Sequence, residues 1–242
     1  DAIFMEVTRQ KFGENAMIRG SHGFYPHIFL PDYQGPHFEE AQRRLVLPRR
    51  GPHVMYFSLT GVCPCHCDYC FAGAGGPTPP DVGDGPVVEV AREVARLRVP
   101  LVNISGGEPL TRFDRLVDTV HALAQGCEVR MFTTGIGLTE QRLGILKEAG
   151  LRGVFVSLDT DDPVRFDAVR HHPSAHEAAV KALKMCSSAG MLTFVNSVVG
   201  PEHFATEAEV ERFLRFVEAI DPRIVVNFIP QLSTGRGTEA DG

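Results

Sequence analysis

The sequence predicts an α/β fold in which six parallel strands, each followed by a helix, curl into a partial (β/α)6 barrel. Three observations lead there. From residue 53 onward, short apolar runs rich in β-branched residues alternate with amphipathic stretches. Such alternation calls for parallel pairing with right-handed crossovers. The units number six, the last unfinished, which is too few to close an eight-stranded barrel, so the sheet is expected to stay open.

The strand candidates, in order, are His53–Leu59, Leu101–Ser105, Glu128–Thr133, Gly153–Leu158, Leu192–Val199 and Arg223–Ile229. Their near-continuous apolar character suits strands covered on both faces. The first helix is expected over Val87–Leu97, behind Pro86, a good first-turn residue. The second spans Arg112–Gln125, where Phe113, Leu116, Val117, Val120 and Leu123 recur at helical spacing before Gly126 ends it. The third, Glu140–Ala149, follows Thr139 and stops at Gly150. Ser174 and Glu177 form a capping-box pattern for a helix ending near Gly190, and Thr206 with Glu209 repeats it before Glu207–Ile220.

Residues 1–52 break the alternation and are rich in Gly, Pro, His and aromatics. They are read as an irregular N-terminal extension that caps the domain at 53–237, with one helix over Phe38–Leu47. Residues 238–242 are expected to be a flexible end, and the start at Asp1 rather than Met points to a piece of something longer.

Composition narrows the function. A net charge of −6, from 24 basic and 30 acidic residues, offers no basic footprint for nucleic acid. No apolar run approaches a membrane span, and no signal-peptide pattern opens the chain. Six cysteines in 242 residues is sparse for a disulfide scaffold, so the thiols are expected to stay reduced in a cytoplasmic setting.

Four of those cysteines fall in the string Cys63-Pro64-Cys65-His66-Cys67-Asp68-Tyr69-Cys70. Cys63, Cys67 and Cys70 have the spacing C-x3-C-x2-C. Three thiolates on one loop can hold three irons of a cubane and leave the fourth open to a small molecule. Structural zinc wants four ligands, usually in two separated pairs, and no second pair follows. An iron–sulfur cluster is therefore the stronger reading of the loop and zinc the weaker. Cys65 reads as a bystander, and Cys127 and Cys186 as small core residues.

Ligands of parallel α/β folds bind at the carboxyl ends of the strands. Gly106-Gly107-Glu108-Pro109 follows the second strand candidate and Thr133-Thr134-Gly135 ends the third. Ser157 and Asp159 end the fourth, Asn196, Ser197 and Gly200 the fifth, and Pro230-Gln231 the sixth. His171-His172 reads as a solvated turn. Gly235-Arg236-Gly237 reads either as an arginine placed over a substrate carboxylate or as a flexible tail.

Cys63-x3-Cys67-x-Tyr69-Cys70, the segment Asn103–Leu110 and the segment Val156–Thr160 together resemble the radical S-adenosylmethionine (radical SAM) superfamily across most of residues 53–237. The nearest branch is that of molybdenum-cofactor cyclases and peptide or haem maturases. The resemblance implies a partial TIM-like barrel and a [4Fe–4S] cluster on Cys63, Cys67 and Cys70. It implies that Gly106, Gly107 and Glu108 border the amino group of S-adenosylmethionine (SAM). Thr134, Ser157 and Asp159 would bond its carboxylate or ribose, and Tyr69 would lie beside adenine. At Thr134 the family usually has asparagine. The implied reaction is reductive cleavage of SAM to a 5′-deoxyadenosyl radical that takes hydrogen from a carbon of a peptide or cofactor precursor. The implied electron donor is a small flavodoxin or ferredoxin. A radical methyltransferase or cyclase is the alternative within the superfamily, and a non-catalytic iron–sulfur or zinc module the alternative outside it.

Overall fold

The computed structural model describes residues 18–19, 24–25, 30–32, 35–46, 51–76, 83–200 and 204–237. A short antiparallel pair, β1 (Ile18–Arg19) and β2 (Phe24–Tyr25), and helix α1 (Phe38–Val46) belong to the extension. The body is one six-stranded sheet: β3 (Val54–Ser58), β4 (Leu101–Ser105), β5 (Glu128–Thr133), β6 (Leu151–Ser157), β7 (Leu192–Val199) and β8 (Val225–Pro230). Every neighbour is parallel, and strand order follows chain order. Sequential right-handed crossovers put the helices on one face and curl the sheet into a half-barrel. β6 begins earlier than expected because Gly150, in the left-handed region, caps the preceding helix and leads directly into Leu151. β8 begins later because Asp221 accepts from the Arg223 amide at 2.9 Å and holds a turn there.

The outer helices are α2 (Asp84–Arg96), α3 (Phe113–Ala124, after a 3-10 turn over Pro109–Arg112), α4 (Glu140–Ala149), α5 (Pro163–Arg170), α6 (Ala175–Ser188) and α7 (Glu207–Ile220). Helix α5 was not expected from the sequence. Asp162 starts it by accepting from the amides of Val164 and Arg165, with Pro163 in the first turn. The box expected at Ser174 and Glu177 does not form: Ser174 is left-handed, with φ 63°. The carboxylate of Asp167, at the end of α5, instead accepts from the amides of Ser174 (2.7 Å) and His176 (2.8 Å). At Thr206 and Glu209 the expected reciprocal box is present.

Alternation along each strand gives the sheet two distinct faces. The convex face sends Val102, Ile104, Val129, Met131, Val154 and Val195 into an aliphatic core with the helices. The concave face carries a separate aromatic stack, Phe132–Phe155–Phe194, with ring centroids 4.4 and 4.3 Å apart. Phe155 and Phe194, fully buried there, contribute about 1.5–3 kcal/mol each. Below the stack, at the amino ends of the strands, Arg130 is fully buried and paired with Glu128. The chain at Leu30–Asp32 seals this floor: Arg130 donates to the Leu30 carbonyl at 2.6 Å, and the Asp32 amide donates to Glu128 at 2.7 Å. Arg44 on α1 bonds the Leu97 carbonyl, also at this end. Leu30–Asp32 and α1 of the extension thus lie at the floor. The rest of the expected cap, and residues 238–242, lie outside the described residues. No helix of the described residues is long and apolar enough to cross a membrane.

Candidate active site

The loop after β3 is fastened to the loop after β4 by backbone alone. The amides of Gly107 and Glu108 donate to the carbonyls of Thr60 (2.6 Å) and Val62 (2.8 Å). That approach requires glycine. A Cβ at Gly107 would lie 2.2 Å from the Val62 oxygen, and Gly106 has φ 127° with its Cβ position 2.5 Å from the Thr60 oxygen. On its other side the cysteine loop is tied to the end of α5: the amides of His66 and Asp68 donate to the carbonyls of Arg170 and Val169.

Between these fastenings opens a cavity of about 160 Å³ at the carboxyl ends of the strands. Cys63, Cys67, Cys70 and Tyr69 line it, with Gly106, Gly107, Glu108, Thr134 and Ser157. Larger grooves between the outer helices, such as one of about 650 Å³ along α2 and α3, hold none of this chemistry. Nine of the ten residues singled out as cluster or SAM contacts therefore meet on one wall; Asp159 lies behind it. Cys65 also turns away: it is 1% exposed, with its thiol hydrogen-bonded to both Cys63 and Cys67. That bonding, with the positive charges of Arg170 and Arg236, outweighs burial and lowers the Cys67 thiol to about 6.

Two carboxylates support the wall. Glu108 accepts from Leu110 N and Thr133 Oγ1 on one oxygen, and from the amide and hydroxyl of Thr134, both at 2.6 Å, on the other. Burial nonetheless raises its carboxyl above the ordinary range, against the pull of those donors. Asp159 accepts from Arg170 at 2.7 Å, from the Val198 amide at 2.8 Å and from the Tyr69 hydroxyl. Arg170 reaches on to Cys67 Sγ at 3.8 Å and packs over Phe166. It lines the cavity, and sequence reasoning missed it because it comes from the unexpected helix α5. The only sequence signal was the Asp162-Pro163 helix start.

A family model of the radical SAM superfamily matches residues 57–217, about two thirds of the chain. The chain belongs to the radical SAM superfamily. PqqA peptide cyclase of Methylocella silvestris is 28% identical over 179 residues, covering 72% of this chain and 46% of the relative. A probable GTP 3′,8-cyclase of Methanosarcina mazei is 29% identical, covering 79% of this chain and 59% of the relative. This radical SAM chain thus spans about half the length of the curated relatives it matches. Among solved structures, Streptococcus suis SuiB bound to S-adenosylmethionine shares the fold at a TM-score of 0.64 and 16% identity, over 84% of this chain and 48% of that one.

Radical SAM enzymes use a [4Fe–4S] cluster and SAM, and the residues present fit both groups. Among the described residues no three His, Cys, Asp or Glu side chains converge on one metal ion. A cubane takes three thiolates on separate irons, and Cys63, Cys67 and Cys70 supply three from one loop on the cavity wall. The tight backbone approach at Gly106 and Gly107 borders the cavity, and Glu108 beside it is a carboxylate that accepts from two amides and two hydroxyls, all neutral donors.

Proposed function

We propose that residues 53–237 are the radical SAM domain of an enzyme that modifies a peptide, with Cys63, Cys67 and Cys70 holding the cluster and SAM lying along the rim. The observation that carries this reading is the meeting of three thiols, the Gly106–Glu108 backbone and Ser157 on one cavity wall. The chemistry these groups supply when bound is reductive cleavage of SAM to a 5′-deoxyadenosyl radical, which takes hydrogen from a substrate carbon.

Each residue then has a task. Glu108 and the carbonyls of Gly106 and Gly107 accept from the SAM ammonium. Thr133 and Thr134 aim Glu108, since their hydroxyls donate to it. Ser157, on the cavity wall, offers a donor to the SAM carboxylate. Tyr69 lends its ring to the adenine while its hydroxyl is engaged by Asp159. Phe71, Val198, Ile229, Pro230 and Leu232 supply the apolar part of the wall that excludes water.

The peptide reading draws on the concave face as well as on the peptide-modifying relative. The two buried arginines there are already matched, Arg130 by Glu128 and Arg170 by Asp159. Around them stand neutral groups: Asn196, which accepts from Asn227 at 2.8 Å, and the aromatic stack. Such a surface suits neutral side chains and backbone amides better than a triphosphate, which needs unmatched cations. A small flavodoxin or ferredoxin in a reducing cytoplasm supplies the electron.

The test is anaerobic reconstitution with iron and sulfide, then EPR with and without SAM and an assay for 5′-deoxyadenosine. The expected result is a cubane signal that changes with SAM, with 5′-deoxyadenosine formed and both lost in Cys67→Ala. Uptake of zinc, or a signal indifferent to SAM, would overturn the reading.

A further inference from the structure

After β8 the chain turns back across the rim at Gly235-Arg236-Gly237, where Arg236 is half-buried and Gly237 buried. It lies on the cysteine loop. Three bonds from Arg236 are made to that loop: its amide donates to the Cys70 carbonyl (3.1 Å), Nε to the Cys67 carbonyl (2.8 Å) and Nη2 to the Ala74 carbonyl (2.8 Å). These acceptors span the loop from its second thiol to beyond its third. The neighbouring glycine makes the contact possible. Gly235 is left-handed, φ 60°, and a Cβ there would lie 2.4 Å from the Cys70 oxygen and 2.5 Å from the Phe71 oxygen.

Three of the ties on the cysteine loop reach its backbone: the Gly107–Glu108 segment, the end of α5, and this strap. The first two use backbone groups of the loop at Thr60, Val62, His66 and Asp68. The strap ties down the stretch that follows Cys70 and brings a full positive charge to it. Arginine keeps that charge at any working pH and its planar fork matches carbonyls at two angles.

We propose that Arg236 is a positioning residue that holds Cys67 and Cys70 in ligand-ready geometry and raises the reduction potential of the cluster. The inference rests on the cysteine loop holding that cluster. A nearby positive charge favours the more negative, reduced form, which raises the potential.

The experiment compares wild type, R236Q, R236K and G235A. Hydrogen exchange on the cluster-free proteins reads the loop, and EPR-monitored redox titration of the reconstituted proteins reads the potential. R236Q is expected to lose protection over residues 67–74 with β4–β7 unchanged, and to shift the midpoint to a more negative value. It should release iron to a chelator about tenfold faster, the factor one charge-assisted hydrogen bond supplies. R236K, which keeps the charge and loses the fork, should hold a midpoint near wild type with intermediate protection. G235A keeps the guanidinium and lifts the strap, so it should resemble R236Q in exchange. Wild-type exchange, iron release and midpoint in R236Q overturn the proposal, as does an equal shift in R236K. A wild type that takes up no cluster overturns the cofactor reading instead, and unchanged exchange in cluster-free R236Q and G235A still overturns the strap.

Discussion

Glu108 and Asp159 are equally hidden, 1% and 0% exposed, and both stand just beyond strand ends on the same rim. They are satisfied in opposite ways. Asp159 has an arginine, so its charge is matched inside the protein before any ligand arrives. Glu108 is held by two hydroxyls and two amides, and burial raises its pKa. One side of the rim is thus internally neutral and rigid. The other holds a carboxylate that accepts from neutral hydroxyls and amides and lines the cavity. The difference teaches where a cationic group of a ligand is stabilised: beside Glu108. It also marks Asp159 as a support for the cysteine loop, acting through Arg170 and Tyr69.

The sharpest way to break this comparison is at Asp159. Asp159→Ala strands the Arg170 guanidinium in the interior, which costs about 3–5 kcal/mol. The measurement is the midpoint of chemical denaturation, at unchanged slope. Removing both charges as D159L/R170M should recover most of that loss, because a well-packed apolar pair replaces a buried ion pair with little penalty. A loss in the single variant no larger than that of a surface change would show that the pair is not what holds this side.

Glu108→Gln should behave the other way. It keeps the shape, so stability at low pH changes little, while affinity for SAM falls by roughly 10- to 100-fold, the worth of one hydrogen bond between charged groups. Calorimetric titration of the reconstituted protein reads it. The pH dependence follows from the raised pKa. A carboxyl raised in the folded state binds its proton more tightly than in the unfolded chain. Its stabilising effect is full below the ordinary carboxylate range and is lost as pH rises through the folded value. Wild type should therefore lose stability relative to E108Q over that window, and a flat difference would contradict the unmatched charge.

The strands were legible because each is a short apolar run between turn signals, and the cysteine and Gly-Gly-Glu-Pro strings were legible because their chemistry is local. Helix α5 was not. At eight residues it shows too few turns for a periodic signal, and its start, Asp162-Pro163, was the only mark. With it went Arg170. The false box at Ser174 failed for a related reason: a carboxylate seven residues earlier reached the helix start first. Asp159, read as a contact to the SAM carboxylate or ribose, and Arg236, read as a tail or substrate contact, have partners 11 and 169 residues away. No spacing rule reports such pairs.

The smallest expected effect joins the two sides of the comparison. Cys63 feels the charge of Glu108, Cys67 feels those of Arg170 and Asp159, and the Cys65 thiol is bonded to both. If the two carboxylate networks hold the loop, Cys65 is packing. Cys65→Ala should then bind a full complement of iron and sulfide and lose only about 1 kcal/mol of stability, typical of a small buried truncation. Iron and sulfide analysis beside Cys67→Ala checks it. A Cys65→Ala protein as iron-poor as Cys67→Ala would make Cys65 a ligand, and would move the support of the loop from the carboxylates to the thiols themselves.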